Sequence, residues 1–250
     1  MISLFQSLGE AVSLLWKAGS SLPFVFRQRK KVCEQLFEIG NASLFVVCIL
    51  SFFIGGVLTL QTGPVLVERG FKSYVGGLVG YSITRELAPV MMSILIAGRI
   101  GSAMAGELGS MQVFEEIDAL RAMNIDPIQY LVLPRIVAIT IALPMLMLFA
   151  LLAGWLGGAV IAAVNQRIQV APQAFFDELR NAVRAGDVLN GLFKTFIFAI
   201  SIGTISCHQG FATKGGPQGI GRSVMRTVVY SIVTIVISDY ALTRLLMLSR

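Results

Sequence analysis

The sequence predicts an all-α integral membrane protein: an interfacial amphipathic helix at the N-terminus, five transmembrane helices, and a short cytoplasmic helix between the second and third. Three observations predict it. Hydrophobic residues make up 55% of the 250-residue chain and charged residues 14%, with a mean hydropathy of +0.77, which leaves too little polar surface for an ordinary soluble domain. Several apolar runs reach the roughly 20 residues that a helix needs to cross about 30 Å of hydrocarbon. None shows the alternation of a barrel strand, and a backbone in lipid must pair its own polar groups, so the spans are helical.

The N-terminal segment, residues 1–40, mixes charges into its apolar residues too often to span. It contains Pro23 and ends in the basic cluster Arg27, Arg29, Lys30 and Lys31. An amphipathic helix on the membrane surface followed by a basic elbow fits this pattern. A cleaved signal peptide would place its basic residues before the apolar core, not after it. The remainder, residues 41–250, is read as the transmembrane domain. Its first span is Ala42 to Leu60. The second runs from about Val75 to Met104, interrupted by Arg85, Glu86 and Arg99. The third covers Ile136 to Val164 and is long enough to tilt or bend at Pro144. The fourth is about Val188 to Ser206, and the fifth about Val224 to Leu246.

Lysine and arginine set the orientation. With the N-terminus inside, segments 1–40, 99–135 and 207–226 carry eleven basic residues and the opposite side seven. This places the N-terminus in the cytoplasm and the C-terminus outside. The basic excess then answers to anionic lipid headgroups, and no nucleic acid is required.

Several chemistries are disfavoured by what the chain lacks. Cys33, Cys48 and Cys207 show no C-x-x-C spacing, and His208 is the only histidine, so neither a zinc site nor a disulfide framework is indicated. The stretch KGGPQGIGRS, residues 214–223, lacks the order of a phosphate-binding loop and reads as a turn between spans.

Charge inside the membrane is the unusual feature. Arg85, Glu86, Lys194 and Asp239 all fall in or at the ends of spans. An ionised side chain in hydrocarbon is expensive, so such groups face a protein interior or a wet cavity and pair. Two cations and two anions balance, and Lys194 with Asp239 is the first pairing expected. Small residues mark a second feature: Ala97, Gly101 and Ala105 stand four apart, with Gly98 and Ser102 on the adjoining ridge. Such rows let helix backbones approach closely in lipid, and a packed seam is expected here.

The segment SMQVFEEIDALRAMNIDP, residues 110–127, follows that seam on the cytoplasmic side and holds four of the chain's fourteen acidic residues. A helix here would carry Val113, Phe114, Ile117, Leu120 and Met123 on one face and Glu115 and Asp118 elsewhere. Asn124 can take the left-handed conformation that ends a helix, and the Asp126–Pro127 pair stops it. An amphipathic helix held between two spans is shaped to dock in a groove of a soluble protein. Its carboxylates would be repelled by an anionic membrane.

TRELAPV at 84–90, AGRIGSAMAGELGSMQVFEEIDALRAM at 97–123, DPIQYLVLPR at 126–135 and SDYALT at 238–243 together resemble the MlaE-type permease of MCE-system ABC transporters. That family also includes a chloroplast lipid-import permease. The likeness runs from about residue 40 to the end. The chain departs from the family pattern at Phe114, Glu116 and Asn124, where a small hydroxyl residue, Gln and Gly are common.

The resemblance implies a homodimeric permease of the bacterial inner membrane. It implies a separate cytoplasmic ATPase as partner, where ATP would bind, a periplasmic MCE protein, and in some systems a small cytoplasmic accessory subunit, with no cofactor on this chain. The expected cargo is phospholipid, or a sterol or other lipid in some branches, moved between the inner membrane and the outer envelope. By the same resemblance Glu115, Glu116, Ile117, Asp118, Ala119 and Leu120 fall on a helix coupling the permease to its ATPase. Arg85, Glu86, Lys194 and Asp239 fall on charged positions near the lipid cavity, and Leu58 and Leu66 on its apolar lining. Two other classes compete. A proton-coupled secondary transporter could use Glu86 and Asp239, but internal repeats and paired broken helices are not evident. An intramembrane enzyme would need a catalytic set that one intramembrane aspartate and a membrane-edge histidine do not provide.

Overall fold

In the computed structural model the described residues are 2–20, 24 and 28–248. Pro23 and Arg27 of the basic elbow lie outside them. The helices are α1 (Ile2–Ser20), α2 (Arg29–Glu68), α3 (Val75–Ser82), α4 (Ala88–Ile96), α5 (Ser102–Val113), α6 (Glu116–Ala122), α7 (Leu133–Val164), α8 (Pro172–Ala182), α9 (Ala185–Phe211) and α10 (Gly216–Leu248). The described residues contain no strand. Five continuous helical stretches are long and apolar enough to cross a membrane: Arg29–Glu68, Lys72–Val113, Ile128–Val164, Ala185–Phe211 and Gly216–Leu248. The protein is thus an all-α, multi-pass membrane protein.

Every expected span is present, and each is longer than its apolar run, because helices continue into the polar edges. Arg29, Lys30 and Lys31 open α2 instead of preceding it. Pro144 lies inside α7 without ending it. The glycine-rich stretch at 214–223 is a turn only at its beginning. Gly215 and Gly216 take left-handed backbone conformations, with φ of 90° and 66°, and α10 starts at Gly216.

Three π-helical turns lie in the spanning stretches: Ile83–Leu87 and Ala97–Gly101 interrupt the second, and Ile128–Val132 opens the third. Such turns are rare and concentrate at functional sites. Hydropathy does not register them.

The chain divides into two compact units. The first gathers residues 1–40, 93–143 and 196–244. Here α1 turns Leu14 and Ala18 onto a buried cluster with Leu108, Val132, Ile136 and Cys207, while Trp16 stays 79% exposed. Arg135 on α7 reaches Glu107 on α5 at 2.9 Å. A Cβ on Gly101 would sit 3.0 Å from Ser206 Oγ and 3.2 Å from Ile202 Cγ2, so α9 lies close along this ridge.

The second unit gathers residues 41–92, 144–195 and 245–250. Its tightest contacts are backbone against backbone. A Cβ on Gly55 would lie 2.0 Å from the Gly154 carbonyl oxygen, and one on Gly157 would lie 2.0 Å from that of Phe52. Only glycine permits α2 and α7 to meet so closely. A further element, α8, is a short amphipathic helix between the third and fourth spans that the sequence pattern did not reveal. It starts with Pro172 in its first turn, a position that needs no N–H donor, and buries Phe175 and Leu179. Those side chains and their backbone lie on the glycine face of α3: a Cβ on Gly76 would meet the Phe175 carbonyl at 2.2 Å, and one on Gly80 would meet Leu179 at 2.7 Å.

Candidate functional site

Four ionisable side chains of the second unit form a cluster in which all but Glu86 are largely buried. Arg85 and Glu86 stand on the π turn Ile83–Leu87, and Asp187 and Lys194 stand two turns apart on α9. Gly191 makes the meeting possible. A Cβ there would lie 2.4 Å from Met147 Cε and 3.0 Å from the Thr84 carbonyl, so α9 rests directly on the backbone of the π turn. One turn later, Lys194 is delivered to Glu86.

The Lys194 ammonium donates to both Glu86 carboxylate oxygens at 3.0 Å and to the Arg85 carbonyl at 3.2 Å. Its side chain is 3% exposed, whereas that of Glu86 is 42% exposed. The cation is therefore sealed in protein, and its anionic partner stays accessible on one side. Arg85 Nε lies 3.7 Å from Asp187 Oδ1, and its Nη1 donates to the Tyr81 hydroxyl. Asp187 is buried, and its second oxygen accepts from the Arg184 backbone N–H at 3.1 Å. That contact is the backward half of a capping box, so one carboxylate both starts α9 and holds Arg85. The two cations and two anions neutralise each other, the condition on which charge is tolerated in a low-dielectric interior.

Of the residues singled out in the sequence, Arg85, Glu86 and Lys194 meet in this cluster. Asp239 is half-buried on α10, in the first unit. Leu58 and Leu66 are half-buried along α2. Asp187 and Gly191 were missed. Aspartate in the first turn of a helix reads as an ordinary N-terminal residue, and a lone glycine in a span carries no sign of what it lies against.

The first unit holds the other candidate surface. The 110–123 segment is not one helix, as the apolar spacing suggests. Here α5 ends at Val113, Glu115 takes a left-handed conformation with φ of 59°, and α6 begins at Glu116. That residue resets the helical phase, so Val113 and Phe114 leave the face that Ile117 and Leu120 share. Ile117 alone is fully buried and Leu120 is half-buried; Phe114 and Met123 are 67% and 62% exposed. Ala119 is exposed beside them, as are Glu115, Glu116 and Asp118. Asp118 pairs with Arg121 at 2.8 Å. Asn124 closes α6 as its residue type suggests, with φ of 60°, and the Ile125 and Asn124 amides return to the Leu120 and Arg121 carbonyls. Asp126 Oδ1 then accepts the Ile128 amide at 2.9 Å and starts the next helical stretch. The result is a short helix bounded by two left-handed residues, Glu115 and Asn124, whose exposed face carries Glu116, Asp118, Ala119 and Arg121.

Along the seam, Ala97, Gly101 and Ala105 are buried and Ser102 is half-buried. Gly98 is exposed, and a Cβ added to it would meet nothing within 4 Å. Among the described residues no group of three or more His, Cys, Asp or Glu could hold a metal ion.

The family model for Permease MlaE matches residues 32–245. The chain belongs to the MlaE permease family. The match covers both the charged cluster and α6. Among relatives, a probable ABC transporter permease protein of Synechocystis is 38% identical over 218 residues, 87% of this chain and 82% of that one. A probable ABC transporter permease protein of Rickettsia felis is 34% identical over 244 residues, 98% of this chain and 93% of that one. The chloroplastic protein of Arabidopsis thaliana named TRIGALACTOSYLDIACYLGLYCEROL 1 is 37% identical over 214 residues, 86% of this chain and 61% of that one. As an MlaE permease the chain is a transporter subunit of the ABC type.

Proposed function

We propose that this permease moves phospholipid, or a related lipid, between the bacterial inner membrane and a periplasmic MCE protein. A homodimer of the chain lies in that membrane with its N-termini in the cytoplasm and its C-termini in the periplasm. Power comes from a separate cytoplasmic ATPase, with a small accessory subunit beside it in some assemblies, and ATP is bound there. The observation that carries the reading is the neutralised cluster of Arg85, Glu86, Asp187 and Lys194 on two of the membrane-spanning stretches. Glu86 stays accessible on one side, which suits a cluster that meets a lipid headgroup while Leu58 and Leu66 accompany the acyl chains. By the family resemblance Asp239 belongs to the same path. One relative bears the name of a galactolipid, which is in keeping with a lipid cargo.

Force enters at α6. Glu115, Glu116, Asp118 and the exposed Ala119 are presented outward, and Ile117 anchors the helix into its own unit, so a push on α6 reaches the spans on either side. Purification from native membranes tests both halves: the complex should contain an ABC ATPase and retain lipid detectable by mass spectrometry. Recovery with neither would overturn the proposal.

A further inference from the structure

A cavity of about 210 Å³ lies in the first unit, lined by Lys31, Glu34, Gln35, Tyr130, Leu131, Pro134 and Arg135. It is distinct from the charged cluster of the second unit, and none of its residues has a part in the proposed transport path. Arg135 is 9% exposed and donates from Nη2 to Glu107 at 2.9 Å. Among the described residues nothing accepts from its Nη1, which is buried. A buried guanidinium nitrogen without an acceptor is costly, and native proteins rarely leave one so. Lys31 Nζ sits 3.0 Å above the centre of the Tyr130 ring. Both side chains line the cavity and neither is fully buried, so Lys31 can turn from the ring to an acceptor.

We infer that this cavity binds a zwitterionic phosphoester, a phosphate joined to an ammonium group, as in a phosphoethanolamine headgroup. The phosphate completes Arg135 Nη1 and takes Lys31 from the Tyr130 ring. Charge decides against a simple anion: Lys31 and Arg135 are balanced by Glu34, which shares the lining, and Glu107, which pairs with Arg135, so the site is neutral overall. A dianion would find no net attraction, whereas a zwitterion matches its phosphate to the two cations and its ammonium to exposed Glu34. At about 30 Å³ per water the cavity has room for about seven waters, enough for a small headgroup. Lys31 stands in the first turn of α2, at the edge of a span, where lipid headgroups lie.

The inference goes beyond the transport reading and stands or falls separately from it. Its test is native mass spectrometry of the full detergent-solubilised chain with dioctanoyl phosphatidylethanolamine, dioctanoylglycerol, soluble phosphoethanolamine or inorganic phosphate. The expected result is retention of the phosphatidylethanolamine and not of dioctanoylglycerol, with Arg135→Gln and Lys31→Ala each lowering occupancy of one lipid per chain about tenfold. Lys31→Ala leaves the Arg135–Glu107 pair intact, so it reports on the site even where Arg135→Gln unfolds the protein. Displacement by soluble phosphoethanolamine at equal concentration assigns the site to the free phosphoester; resistance to it assigns the site to the lipid. Retention that ignores the headgroup, occupancy unchanged in both variants, or equal displacement by inorganic phosphate overturns the inference.

Discussion

Lys194→Met and Glu86→Leu, made singly and together, form a double-mutant cycle across the best-formed contact of the cluster. Removing one member of a fully buried ion pair costs about 3–5 kcal/mol, and an exposed pair is worth about 0–1 kcal/mol. This pair lies between those limits: Lys194 is 3% exposed, with three acceptor contacts at 3.0–3.2 Å, but Glu86 is 42% exposed. Each single variant should therefore lose about 2–3 kcal/mol. At about 2–4 °C per kcal/mol for a chain of this length, the unfolding midpoint falls by about 4–12 °C. Thermal unfolding in detergent, followed by size-exclusion recovery, measures it. The double variant should lose no more than the worse single variant, because neither member of the pair is then left without the other. Losses that add in the double variant refute the pairing. If the cluster also meets cargo, that double variant stays defective in lipid transfer although it is folded.

At α6, Glu115→Lys with Asp118→Lys should abolish co-purification of the ATPase while the permease still inserts; normal complex yield would exclude α6 as the docking element. The stability cost there should stay within about 1 kcal/mol, since the Asp118–Arg121 pair is exposed on both sides. Gly157→Ala should destabilise by about 1–3 kcal/mol or more, because its Cβ would lie 2.0 Å from the Phe52 carbonyl. Gly98→Ala, with open space around it, should change stability by no more than about 0.5 kcal/mol; equal effects of the two substitutions on the unfolding midpoint would contradict the helix contacts described. A cysteine at the exposed Trp16 position, in a background without Cys33, Cys48 and Cys207, should react with membrane-permeant thiol reagents and resist impermeant ones added from the periplasm. Ready labelling from outside would reverse the proposed topology.

How much of the molecule was legible in the sequence follows from what hydropathy can register. The five spans were visible because each holds a long apolar run, and Asn124 was visible because few residues accept a left-handed backbone. The cluster was half visible. Charge in an apolar run marks Arg85, Glu86 and Lys194, but Glu86 and Lys194 are 108 positions apart, and their partnership depends on the π turn and on Gly191, neither of which alters composition. Asp187 was hidden by the ordinariness of an acid at a helix start. The break at Glu115 was hidden too, because glutamate is a good helix former and only the fold turns it left-handed. In α8, eleven residues are too few and too polar to register as a span.

The most direct test of the proposed function is co-reconstitution of the permease and its ATPase in proteoliposomes, with the proposed MCE partner outside and a fluorescent phospholipid as the proposed cargo. Lipid transfer that requires ATP, and that stops when the ATPase is hydrolysis-deficient or when α6 carries Glu115→Lys and Asp118→Lys, is the result expected. Transfer that proceeds without ATP and follows an imposed proton gradient instead would contradict an ABC permease and return Glu86 and Asp239 to a proton-coupled carrier.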